Sequence, residues 1–125
     1  MQYEEFITAV ADRSGLSRED AESLVHATLR VLAERLSGGE AEDLKAQMPK
    51  QLQVDLIPPQ EEAQSFGADE FARRVAQRSG MSEADAGAGV IAVLATIRDA
   101  VTPGEFDDVL AQLGKEFAEL IERTS

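Results

Sequence analysis

Apolar residues recur along this chain every three or four positions and alternate nowhere, so the pattern predicts helices and no strand. Tyr3, Phe6, Ile7, Val10 and Ala11 form one stripe over about residues 3–13, with Glu4, Glu5, Thr8 and Asp12 facing away. Gly15 closes that helix, and Ser17, with Asp20 three residues later, caps the next. Ala21, Leu24, Val25, Thr28, Leu29, Leu32 and Leu36 carry the second stripe to about residue 36. A third helix follows Ser37-Gly38-Gly39-Glu40, with Leu44 and Met48 inward. Pro49 interrupts it, and a short helix near 50–56 restarts on Leu52 and Leu56.

The whole pattern then returns. Between residues 5 and 54, 19 of 50 positions match, without a gap, the residue 65 places further on. Phe6, Arg13, Ser14, Gly15 and Ser17 return as Phe71, Arg78, Ser79, Gly80 and Ser82. Tandem duplication of one helical unit is the leading explanation. In the second copy Thr102-Pro103-Gly104-Glu105 is a fuller helix start than its counterpart, with Thr as cap and Pro in the first helical position. Gly114 replaces Pro49, so the helix is expected to run through it, carrying Phe117, Leu120 and Ile121. Gly87 and Gly89 replace Glu22 and Leu24, which suggests either close helix approach or a frayed first turn. The expected fold is all-α: two tandem three-helix repeats, residues 1–56 and 68–125, joined by a polar linker at 57–67. Units of roughly 55 residues are near the lower limit for an independent core. The two are therefore expected to pack about a pseudo-twofold axis into a single globular domain.

Composition narrows the chemistry. The 125 residues contain no Cys or Trp, one Tyr and one His, which removes disulfides, thiolate metal sites and thiol nucleophiles. The net charge of −12 is shared by both halves and disfavours direct nucleic-acid binding, which draws on Lys and Arg. No signal-peptide pattern or membrane-length apolar run is present, so a cytoplasmic location and no membrane partner are expected. His26 faces Ile91 in the duplication, which argues for a packing position over a ligand. Acid pairs such as Glu42 with Asp43, and Asp107 with Asp108, arise by chance in so acidic a helical chain. No catalytic, cofactor-binding or metal-ligating set is read from the sequence.

One polar constellation stands out. Glu40, Asp43, Gln47 and Lys50 share a face of the third helix, and all four recur as Glu105, Asp108, Gln112 and Lys115. Two explanations remain open. These residues cap helices and pair across the repeat interface, with Arg13 and Arg78 as partners, or they form a partner-binding stripe shown twice.

The run from Phe6 through Val10-Ala11, Arg13-Ser14-Gly15-Leu16-Ser17 and Asp20-Ala21, followed by Ser37-Gly38-Gly39-Glu40-Ala41, Asp43-Leu44 and Ala46-Gln47-Met48-Pro49, resembles the bacterial family catalogued as domain of unknown function 2267. That resemblance implies a small helical protein and brings no catalytic residues with it. Residues 6–40 are also similar to the helical hairpin of HU-type histone-like proteins. Here the following segment is acidic and helical, with no basic arm, so the likeness extends to the hairpin and not to DNA binding. The leading functional expectation is a non-enzymatic interaction or scaffolding module with a protein partner or self-association. One alternative is a small-molecule binder or enzyme with a pocket between the repeats, lined by Met48, Met81 and Phe117. Another is an acidic partner of basic nucleoid proteins.

Overall fold

A computed structural model describes residues 1–124. Helix α1 spans Tyr3–Ser14, opened by Gln2 and Glu5 in a reciprocal cap and closed at Gly15. Helix α2 spans Arg18–Arg35 and begins where the Ser17 hydroxyl accepts from Asp20 N. Helix α3, Gly38–Gln47, is capped in the same way by Ser37. Pro49 then leads into a 3-10 helix at Lys50–Asp55, which buries Leu52 and Asp55, as the restart pattern predicts.

The second half follows the same plan 65 residues later. Helices α4 (Ala68–Ser79) and α5 (Glu83–Ala100) have the lengths of α1 and α2, with Gly80 and Ser82 at their boundaries. Helix α6, Pro103–Leu113, starts at the Thr102 cap with Pro in its first turn. It does not run through Gly114. That residue sits at φ +100, its N–H bonds back to Leu110 O, and α7 (Lys115–Thr124) starts afresh. The Pro49 break is thus matched by a break of different chemistry: Pro disfavours a helical residue before it, while Gly adopts dihedrals that other residues avoid.

The two halves interleave. α1 packs on its own α2 and on α5, α4 packs on its own α5 and on α2, and α3 meets α6. One apolar core results, containing Phe6, Leu24 and Leu32 from the first half with Phe71, Val93 and Phe117 from the second. Each fully buried side chain of this size contributes about 1.5–3 kcal/mol. Gly89 marks a close approach of α5 to α2, because a Cβ there would lie 2.5 Å from Leu24 Cδ2. Close helix packing, one of the two readings of this glycine, is therefore what the fold uses.

The linker is pinned rather than loose. Gly38 N bonds Glu61 O at 2.9 Å, and Gln64 N bonds Glu34 O at 2.8 Å. Arg35 is the main fastening, although it is buried and its matched residue is Ala100. Its guanidinium donates to the carbonyls of Phe66, Gln64, Gln112 and Leu113 at 2.8, 3.3, 3.0 and 2.5 Å. Two of these are end-of-helix carbonyls of α6, which would otherwise lack partners. Burial pushes the Arg35 pKa down, and the rings of Phe66 and Phe117 lie 5.6 Å from its guanidinium carbon.

Candidate functional site

The duplicated stripe divides into three groups. Gln47 Oε1 accepts from Thr102 N at 2.8 Å, and Gln112 Oε1 accepts from Ser37 N at 2.8 Å. Gln112 also donates to the Ser37 hydroxyl at 3.1 Å. Each glutamine thus fastens to the N-cap residue of the opposite half's third helix, which is a structural reason for its presence in both copies. Lys50 and Lys115 are exposed, and Lys115 pairs with Glu119 at 3.7 Å. The expected partners Arg13 and Arg78 do cross between halves, but to other residues. Arg13 reaches Thr96 at 2.7 Å and Asp99 at 2.5 Å, while Arg78 reaches Glu34 at 2.6 Å. The cause is the packing of α1 on α5 and α4 on α2, which directs both arginines toward the long helices rather than α3 or α6.

The four acids of the stripe converge where α3 meets α6. Glu40 and Glu105 are buried, whereas Asp43 and Asp108 are exposed. One carboxylate oxygen from each of Glu40, Asp43 and Glu105 lies within 4.8 Å of the other two. Burial, followed by the charges of Glu105, Asp108 and Asp43, pushes the Glu40 pKa up to about 7. Burial, with Asp43 and Asp108, also raises that of Glu105.

A second polar cluster belongs to the first half alone. Asp55 is buried at the end of the 3-10 helix, where it accepts from Arg30 Nε at 2.9 Å and faces His26 Nδ1. His26 Nε2 lies 3.2 Å from the Tyr3 hydroxyl, which donates to Glu22 at 2.5 Å. Burial and the Glu22 carboxylate push the Tyr3 pKa up to about 12. Tyr3 is therefore held as a neutral phenol and is no ready nucleophile. The Tyr3 bond is also the first cause holding Glu22 below its ordinary range. His26 is thus a member of a satisfied network, as the packing reading expects.

The same place in the second half is apolar and hollow. Ala68, Ala72, Gly87, Ile91 and Leu120 stand 65 residues after Tyr3, Ile7, Glu22, His26 and Asp55. All five line a cavity of about 200 Å³, together with Asp69, Val90, Leu94, Phe117 and Ile121. The cavity lies within the second half, between α4, α5 and α7, rather than between the repeats. Of the three lining residues expected from sequence, Phe117 is present, while Met48 and Met81 are not among the lining residues. The signal in the sequence was the loss of side-chain volume at three aligned positions, Tyr to Ala, Ile to Ala and Glu to Gly, beside the change of His to apolar Ile.

A compact all-helical bundle is the class of protein these features define. The chain belongs to the uncharacterized conserved protein family DUF2267, whose profile matches residues 3–120. No curated protein matches it.

Proposed function

We propose that this is a non-enzymatic binding protein that takes a small apolar ligand into the cavity of its second half. The observation that carries this reading is the cavity itself. Its walls are mostly apolar, and three of the positions that fill the matching space in the first half, Tyr3, Ile7 and Glu22, are here reduced to Ala68, Ala72 and Gly87. An enclosed apolar cavity of about 150 Å³ admits a benzene-sized molecule, and this pocket differs in opening to solvent past the half-exposed Ala68, Ala72 and Ile91. At about 200 Å³ this one suits a monocyclic aromatic or a short branched alkyl group. Asp69, an exposed carboxylate at its edge, disfavours anionic ligands such as fatty acids and favours neutral or cationic ones.

The reading of the stripe as a protein-interaction surface rests on its exposed members, Asp43, Lys50, Asp108 and Lys115, since Gln47 and Gln112 are already engaged between the halves. The ligand reading is tested by thermal unfolding with toluene and with benzylamine, in the wild type and in Ala72→Ile. Ala72→Ile restores the first half's side chain and fills the space. A rise in Tm in the wild type that vanishes in a folded Ala72→Ile variant is expected. No rise, or an equal rise in both proteins, would refute it.

A further inference from the structure

Where α3 and α6 meet, the chain places four carboxyl groups with no cation among them. Among the described residues, none of Glu40, Asp43, Glu105 or Asp108 takes part in an ion pair. Proximity of acids alone is common on an acidic surface, and the deciding observation is a different one. Glu40 and Glu105 are only 7% and 8% exposed, and each buries a carboxylate oxygen, Glu40 Oε1 and Glu105 Oε2, that no N–H or O–H donor of the chain reaches; the two groups bond each other only when one of them holds a proton. A buried orphan oxygen on a carboxylate is costly, so such groups are normally satisfied. Here two of them, one from each half, belong to the same small cluster.

We propose that Glu40, Asp43 and Glu105, with Asp108 beside them, form a binding site for one divalent cation of the size and hardness of Ca²⁺. Every donor in the cluster is a carboxylate oxygen, which selects hard cations over those preferring nitrogen or sulfur. Two oxygens on opposite sides of a Ca²⁺ ion stand about 4.6–5.2 Å apart, given bond lengths of about 2.3–2.6 Å. The donor atoms of the three residues lie within 4.8 Å of one another and so fit inside that shell as they stand. Mg²⁺ needs a tighter octahedron, about 4.0–4.2 Å across, and gives up its water reluctantly. The two glutamates supply the buried floor and the two aspartates the exposed rim. The ion would bridge α3 to α6 and thereby hold the halves together at a point where their charges otherwise repel. This site is separate from the apolar cavity, and its test is independent of that reading.

The test is calorimetric titration of CaCl₂ into chelator-treated protein at pH 7.5, with MgCl₂ in parallel and thermal unfolding as a second readout. One Ca²⁺ per chain is expected, with binding at least tenfold tighter than Mg²⁺ and a rise in Tm. Glu40→Gln/Glu105→Gln, which keeps shape and removes charge, is expected to abolish both signals. Should that double variant not fold, the rim variant Asp43→Asn is expected to weaken binding at least tenfold. Absence of saturable heat in the wild type would overturn the proposal and leave a shared proton as the stabiliser. Equal effects of both salts, or effects retained in the folded variants, would likewise overturn it, since they signify general screening of an acidic chain.

Discussion

The first half of this protein fills one pocket with Tyr3, Glu22, His26 and Asp55, while the second leaves the matching space to Ala68, Gly87, Ile91 and Leu120. The backbones differ little in plan, since α1 and α4 have the same length, as do α2 and α5. What differs is how the space beneath the long helix is occupied. In the first half a buried carboxylate is stabilised by Arg30 and His26, and the hydroxyl of Tyr3 links that histidine to Glu22. In the second half the polar groups are absent as a set, and Ala68 and Gly87 leave unfilled the volume that Tyr3 and Glu22 occupy in the first. Polar networks reward complete satisfaction and penalise partial loss. Exchange of the whole group is therefore tolerable where exchange of one member is not.

The largest departure from likeness between the halves is Arg35, which has Ala100 as its counterpart. Arg35→Met is expected to destabilise the fold by about 3 kcal/mol or more, because four carbonyls lose their donor in a place mostly sealed from water. Urea unfolding measures this, and a change below about 1 kcal/mol would contradict the fastening role. Ala100→Arg, by contrast, sits outside the linker cradle and should not stabilise.

The two halves also meet through matched residues at Glu40 and Glu105, so their titration is a second probe. Glu40 faces Glu105, Asp108 and Asp43, and its folded pKa of about 7 is above its ordinary value of 4.5. A carboxyl with a raised folded pKa binds more protons in the native state than in the unfolded state across that interval. In chelator-treated protein its contribution is thus fully present below about 4.5 and declines as pH rises to about 7, by no more than about 3 kcal/mol. Glu40→Gln should flatten that slope, as read by urea midpoints from pH 4.5 to 8.

Asp55→Leu, which introduces the second half's residue into the first half's network, is a third way to break the comparison. It removes bonds from Arg30 and His26, and the expected loss is about 2 kcal/mol. Replacing Tyr3, Glu22 and His26 by their counterparts in the same chain should recover part of that loss, because only Arg30, which water reaches, then lacks its partner. If the combined variant is less stable than the sum of its parts, the idea of interchangeable sets fails.

The smallest effects distinguish two neighbouring glycines of α5. Gly89→Ala drives a methyl into Leu24 across the junction of the halves and should cost about 1–3 kcal/mol. Gly87→Ala meets only Ala72 Cβ at 3.9 Å and should gain up to about 1 kcal/mol from helix propensity. Thermal unfolding of the two variants should therefore move in opposite directions.

Much of this was legible in one dimension. Apolar spacing, the caps Ser17, Ser37, Ser82 and Thr102, and the 65-residue recurrence are local or periodic signals, so they define helix positions before any packing is known. The retained stripe was visible too, and with it the choice between a partner face and fold maintenance. The sequence could not reveal which residues it would touch, because Gln47 and Gln112 act on backbone N–H groups 55 and 75 residues away. Gly114 misled for a similar reason: glycine is compatible with a continuing helix or a turn, and the position of α7 against α5 selects the turn. Arg35 carried no sequence signal at all, since its partners are carbonyl oxygens that every residue possesses. Local propensity and periodicity therefore determined the helices and their duplication, whereas the carboxylate cluster, the hollow beneath α5 and the Arg35 fastening were decided by tertiary packing, because charge repulsion, empty volume and long-range hydrogen bonds exist only once distant segments are brought together.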